Sequence, residues 1–265
     1  MTILVTGATG KVGRQAVAQL QAQGHDVRAL VRRPSGAAAE TLGDLTDVDS
    51  VRRALAGVRK VFLVWPFFDT DSLPPVLEAM ADKQIVYLSA AGETPWALAA
   101  EALIEQATSA WTFLRPTGFA GNALEFAPEI KAGDVVRAPF AKLARPLIHE
   151  YDMAAVGVRA LTEPGHTGKK YELSGPELVT QEQQVQIIGE VLGRPLRFEE
   201  ITPEQAKAGM QAAGWPVQLT ENALDAWAGM LENPEPVTSR VRLVTGEPAI
   251  TFRGWALDHA AYFQG

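Results

Sequence analysis

The stretch LVTGATGKVGRQ sets three glycines, Gly7, Gly10 and Gly13, between an apolar β-type run and the start of a helical pattern. In a strand–loop–helix connection each has a use. Gly7 permits a tight turn, Gly10 lets the backbone approach a pyrophosphate, and Gly13 lets the helix lie close to the sheet. The helix N-terminus then faces the phosphates with N–H groups and a partial positive charge. The spacing, G-x-x-G-x-x-G, departs from the dinucleotide fingerprint G-x-G-x-x-G, so the loop takes its meaning from what surrounds it. Apolar runs at residues 3–6, 27–31, 61–64, 85–88 and 111–114 alternate with helical patterns at 11–23, 47–56, 72–82 and 95–108. Strands apolar on both faces and separated by helices specify a parallel sheet covered on both sides. With a short candidate at 40–43, five or six strands are expected.

Composition narrows the partners. The 265 residues are 47% hydrophobic, enough for a continuous core, and include no cysteine, which removes disulfides, thiol nucleophiles and most zinc sites. The four histidines are scattered and no H-E-x-x-H occurs, so no metal site is expected. The greasiest run, residues 61–68, has strand length and is broken by Pro66, well short of the roughly 18 apolar residues of a membrane span. The opening MTILVTG enters a strand without a basic leader, and a cytoplasmic protein is expected. A net charge of -7 opposes nonspecific attraction to nucleic acid. The partner expected from the glycine loop is a nucleotide, with a homodimer or a protein partner left open.

Which nucleotide depends on the end of the second strand. NAD sites place an acidic side chain there to accept from the ribose 2′-hydroxyl, whereas ALVRRP ends in Arg32 and Arg33. A carboxylate repels a 2′-phosphate; a guanidinium holds it through paired charge-assisted hydrogen bonds. NADP(H) is therefore favoured, with Arg32 the stronger candidate because it follows the strand immediately. Lys11 adds charge near the phosphates or is a plain exposed lysine. Asp44 in GDLTD either meets the adenine or caps the next helix, a task Asp47 could equally perform.

After Pro116 the rhythm changes. Short strands are expected at 147–148, 170–173 and 196–201, and helices at 181–192, 203–213, 222–231 and 252–263. Thr180 with Gln183, and Thr202 with Pro203, mark helix starts by capping and by proline in the first turn. Asp152 reads as the N-cap of a helix over 153–161. The division expected is a nucleotide-binding domain over 1–125 and a smaller lobe over 126–265, with part of 147–165 returning to the first domain.

The segments VTGATGKVG, ALVRRP, GDLTD, VYLSA, WTFLRPTGFAGN and GKKYELSGPE, in that order and spacing, resemble the NmrA-like group of atypical short-chain dehydrogenase/reductases, which includes NADP(H)-dependent quinone oxidoreductases. The resemblance covers nearly the whole chain, most sharply residues 3–122. It implies an α/β fold, a Rossmann-type doubly wound parallel sheet with a smaller, mainly helical C-terminal substrate lobe. The positions it assigns to the cofactor are Gly7, Thr9, Gly10, Lys11, Val12 and Gly13 in the loop, Arg32 at the 2′-phosphate, and Asp44 with Leu45 near adenine. Toward the nicotinamide it points to Trp65, Pro66, Pro116 and Phe119.

The chain departs from the wider superfamily in ETPWALAAEALIEQ, residues 93–106. Counting back from FLRP, the usual tyrosine falls on Glu93 and the usual lysine on Ala97. Hydride addition to a simple ketone makes an alkoxide that needs a proton in the transition state. A quinone instead becomes an anion delocalised over a ring, for which solvent suffices, and catalysis reduces to holding a flat acceptor in place. Candidate walls are Phe67, Phe68, Trp96 and Phe140, besides Trp65 and Phe119. Candidate polar helpers are Ser89, at the end of the fifth strand, and His149; Tyr87 reads as buried packing. The reading favoured is an NADP(H)-dependent reductase of quinones or other flat conjugated carbonyls. The alternatives are a non-catalytic sensor of the NADPH/NADP⁺ ratio and an epimerase or isomerase on the same scaffold.

Overall fold

A computed structural model describes residues 2–37, 39–92 and 94–264. In chain order the strands are β1 (Thr2–Val5), β2 (Asp26–Val31), β3 (Glu40–Leu42), β4 (Val58–Val64), β5 (Gln84–Leu88), β6 (Trp111–Pro116), β7 (Val135–Ala138), β8 (Ala144–Arg145), β9 (Lys169–Leu173), β10 (Val179–Thr180) and β11 (Arg197–Glu200). The helices are α1 (Lys11–Ala22), α2 (Val48–Ala54), α3 (Leu73–Met80), α4 (Pro95–Ala107), α5 (Ala127–Ala132), α6 (Glu150–Thr162), α7 (Gln181–Leu192), α8 (Pro203–Ala212), α9 (Val217–Glu232), α10 (Arg240–Thr245), α11 (Phe252–Asp258) and α12 (Ala260–Phe263). Contacts divide them into two units. The first holds Met1–Thr117, Glu150–Leu173 and Ser239–Pro248; the second holds Gly118–His149, Ser174–Thr238 and Ala249–Gly265. The first division therefore falls at Thr117, not after 125, and the first unit draws in two later segments, the second of them residues 239–248.

The first unit is a seven-stranded parallel sheet in the order β3-β2-β1-β4-β5-β6-β9, the doubly wound α/β arrangement expected. One more strand is present than expected, because Lys169–Leu173 joins this sheet beside β6 instead of belonging to the second lobe. Alternation along the strands sends neighbouring side chains to opposite faces. Leu4, Leu63, Tyr87 and Phe113 enter the core with α2, α3 and α4. On the other face Phe62 lies against α6, where a Cβ on Gly157 would come within 2.2 Å of its ring, and α6 packs on α1. Full burial of Phe62 and Phe113 contributes about 2–3 kcal/mol each.

The second unit builds its core on Phe252, Trp255 and Phe263, packed with Val185 and Ile188 of α7 and Val136 of β7. Two strand pairs brace it, β7 with β11 and β8 with β10. Thr180 and Thr202 each form a reciprocal capping box, with Gln183 and Gln205, so both expected helix starts stand. Three expectations fail here. Residues 147–148 make only a single bridge, Phe119 to Ile148. Asp152 lies within the first turn of α6, which begins at Glu150, and does not cap it. The terminal helix is broken at His259 into α11 and α12. Among the described residues no helix is long and apolar enough to cross a membrane.

Candidate functional site

The site starts where β1 turns into α1. Gly7 takes φ +57°, a left-handed conformation that favours glycine, and its N–H neighbour in the turn, Gly10, donates to the Gly7 carbonyl at 2.9 Å. A Cβ on Gly13 would stand 2.2 Å from that same carbonyl oxygen, so the helix is pressed onto the loop more closely than any other residue allows. Gly10 is the N-cap of α1, no side chain caps the helix, and its first turn carries no acid. The positive end of the helix dipole is thus left for an anion. Thr6 ties the end of β1 to β4, its hydroxyl donating to the Val64 carbonyl at 2.9 Å and accepting from the Val64 N–H at 2.8 Å.

A groove opens over these strand ends, bounded by Gly7, Thr9, Gly10, Leu30, Val31, Arg32, Gly43, Asp44, Leu45, Val64, Pro66 and Phe67. Its polar end brings Thr9, Arg32, Arg33 and Asp44 together, with both arginines exposed. Asp44 Oδ1 accepts from the Thr46 N–H at 2.9 Å and the Thr46 hydroxyl at 2.8 Å. Those bonds, and then the charge of Arg32, hold its carboxyl below the usual carboxylate range, so it presents an ionised acceptor. Helix capping falls to Asp47, which accepts from the N–H groups of Asp49 and Ser50.

Not every candidate reaches this groove. Val12 is buried beneath the loop, and Lys11 is exposed outside the groove wall. Trp65 turns into the core, 4% exposed, with its indole N–H donating to the Asp69 carbonyl at 2.8 Å; the groove is lined instead by its neighbours Val64 and Pro66. Phe67, expected against the substrate, lines this groove and meets Trp65 edge to face at 4.9 Å. Phe68 and Trp96 form a surface pair, edge to face at 5.7 Å. Pro116 is buried at the end of β6. Phe119, Phe140 and His149 belong to the second unit. There His149 is buried, with Nε2 3.4 Å from Asp258 and its ring 5.6 Å from that of His259. Phe140 occupies a turn closed by the Leu143 N–H on its carbonyl.

Ser89 is not a free donor. It is buried, and its hydroxyl donates to Glu101 Oε1 at 2.6 Å. Glu101 lies on α4 one turn beyond Ala97, is itself 2% exposed, and takes both arms of Arg115, one at 2.8 Å. Lys170 joins from β9, 3.6 Å from Glu101 and 2.9 Å from Glu105. The sequence reading passed over Glu101; its place on the helix face of Ala97 was the available signal. Ala97 is fully buried, and Glu93 lies outside the described residues. Beneath this network the Tyr87 hydroxyl is buried without a hydrogen-bond partner; burial, then the charge of Glu101, raises its pKa well above the ordinary phenol value. Tyr87→Phe is expected to fold normally and gain up to about 1 kcal/mol, since it deletes a desolvated, unpaired group. Denaturant melts would check this, and a loss of 1 kcal/mol or more would show that the hydroxyl has a partner.

The glycine cradle, the uncapped helix terminus and the exposed arginine pair fit a nucleotide bearing a phosphate at each of two places. Among the described residues no group of three or more His, Cys, Asp or Glu side chains is placed to hold a metal ion. Comparison with known proteins agrees with the first reading. A family model described as NAD(P)H-binding matches residues 7–164. The chain is 36% identical to a (4-alkanoyl-5-oxo-2,5-dihydrofuran-3-yl)methyl phosphate reductase of Streptomyces griseus, across 98% of this chain and 99% of that one. It is 32% identical to an NAD(P)H azoreductase of Xenophilus azovorans, with the same coverage. Among solved structures, an NADPH-dependent quinone oxidoreductase of Escherichia coli complexed with NADPH shares the fold, with a TM-score of 0.81 at 22% identity over 97% of this chain and 99% of that one.

Proposed function

The chain belongs to the NAD(P)H-binding family, and from that premise we propose that it is an NADPH-dependent reductase of quinones or other flat conjugated carbonyl acceptors. The bound dinucleotide supplies a hydride from its nicotinamide. The protein supplies the rest. The Gly7–Gly13 loop and the α1 terminus hold the pyrophosphate, Arg32 with Arg33 holds the 2′-phosphate, and ionised Asp44 with Leu45 receives the adenine. Pro66 and Phe67 form the wall beyond.

The observation that supports the choice of acceptor is that, among the described residues, neither Ala97 nor Ser89 is free to give a proton. Ala97 has no proton to give, and Ser89 already donates its own to Glu101. An alkoxide would go unprotonated at such a site, whereas an anion spread over a conjugated system leaves and takes its proton from water. The names of the two curated relatives agree in kind: an azo group and a 4-alkanoyl-5-oxo-dihydrofuran are both conjugated acceptors.

The test is NADPH oxidation against a panel of 1,4-naphthoquinone, a cyclic enone and acetophenone. Turnover of the first two at kcat/KM about 100-fold or more above the ketone is expected, with a flat profile between about pH 6 and 9 because no side chain titrates as the acid. Tight NADPH binding with no turnover of any acceptor would replace the reductase by a sensor of the NADPH/NADP⁺ ratio.

A further inference from the structure

The second unit carries a cleft of its own, walled by the rings of Phe119, Phe126 and Trp227. One polar side chain in it stands apart. Gln184, in the first turns of α7, is 6% exposed and lines the cleft, yet no hydrogen bond of its side-chain amide is formed among the described residues. Its neighbour Gln181 shows the ordinary state of such a group, donating to the Pro139 carbonyl at 2.9 Å. The amide is reached from the cleft, where a ligand that enters can take the hydrogen bonds water otherwise supplies.

The charge in the cleft limits what that can be. Arg145 reaches the lining, but its guanidinium is held by both oxygens of Glu235, at 2.7 and 2.9 Å, with both side chains largely buried. It is also wedged over Gly118, where a Cβ would come within 2.7 Å of its Cζ, so the pair has no room to swing apart on that side. An anionic ligand would therefore have to compete with a bidentate carboxylate already in place. The exposed Glu125 carboxylate adds negative charge to a lining that also carries the amides of Asn122, Gln181 and Gln184. Three aromatic faces, these amides, a carboxylate and a neutralised cation suit a flat, uncharged ring that carries a hydrogen-bonding oxygen.

We propose that this cleft binds an uncharged quinonoid or aromatic carbonyl ring, stacked on Trp227 and the two phenylalanines, with its oxygen on the Gln184 amide, and that it discriminates against anionic analogues. That the ring is the hydride acceptor rests on the reductase reading above; that it binds here does not.

The experiment measures binding of 1,4-naphthoquinone, naphthalene and 1,4-naphthoquinone-2-sulfonate to the whole protein, by calorimetry and tryptophan quenching, with NADPH affinity and the thermal melt recorded for every variant. Gln184→Met, which conserves length, is expected to weaken the quinone about tenfold and leave naphthalene unchanged. Trp227→Leu, at a half-buried position that tolerates change, should weaken both, and the sulfonate should bind the unmodified protein at least about tenfold less well than the quinone. Quinone affinity in both variants equal to that of the unmodified protein, or a sulfonate that binds as well as the quinone, overturns the assignment. If binding follows the variants as expected while no acceptor is turned over, the cleft stands and the reductase reading falls. If quinone turnover and quinone affinity are both untouched by the two variants, the reductase reading stands and the cleft assignment falls.

Discussion

Replacing Arg32 with glutamate should weaken NADPH binding by about 100-fold or more and leave NADH binding within about threefold. A phosphate monoester at the ribose carries close to two negative charges near neutral pH, and a guanidinium meets it with two charge-assisted hydrogen bonds. Each such bond is worth about 1.5–3 kcal/mol, and 1.4 kcal/mol is a tenfold change in affinity. Exposure of Arg32 and the presence of Arg33 beside it pull the loss toward the lower end. The substitution would also set a second carboxylate next to Asp44, repelling the phosphate, while the 2′-hydroxyl of NADH would find an acceptor. Calorimetric titration with both nucleotides reads the result, and the gap should narrow as salt is added. Equal weakening of NADPH and NADH would remove Arg32 from the phosphate.

The other large effect is on stability. Glu101→Ala is expected to cost about 3 kcal/mol and lower the melting temperature by roughly 10 °C. The carboxylate is 3% exposed at its side chain and holds Arg115, itself only 18% exposed, together with the Ser89 hydroxyl. Removing it strands a partly buried guanidinium and leaves a buried hydroxyl without its acceptor. The pair as a whole is worth much less than its breakage suggests, because both charges were desolvated to form it. Replacing both partners, as Glu101→Leu with Arg115→Leu, should therefore recover most of the loss in differential scanning calorimetry. A double variant as unstable as the single one would mean that the network fixes the strand ends by more than its charges.

The parts of the molecule that local pattern controls were legible. Apolar runs flanked by helical patterns marked five of the first six strands along the chain, with 40–43 a short candidate for the other, and the glycine spacing with the arginine pair pointed to the residues at the polar end of the groove. The seventh strand was expected at 170–173 but assigned to the second lobe: KKYEL alternates, exposed at Lys169, Lys170 and Glu172 and buried at Tyr171 and Leu173, as an edge strand does, and its partner β6 is distant in sequence. Trp65 was a misreading that strand geometry could have prevented. If Val64 and Pro66 face the groove, the residue between them faces the core. Ser89 and Glu101 meet only when α4 packs beside the sheet, and Gln184 and Trp227 line one cleft only once the second unit has folded. No spacing in the sequence encodes either meeting.

The chain leaves the main sheet after Thr117 and rejoins it at Glu150, contributing α6 against α1 and β9 beside β6, and returns a second time with α10. A fragment ending at 125 would contain every groove residue and still expose the flank of α1 and the edge of β6. During vectorial synthesis on a ribosome, the coenzyme-binding half therefore cannot close its sheet until Leu173 has emerged, and its last helix arrives only after most of the other half has been made. A fragment ending at 125 is therefore expected to melt below the full chain, a difference that circular dichroism of the two would read.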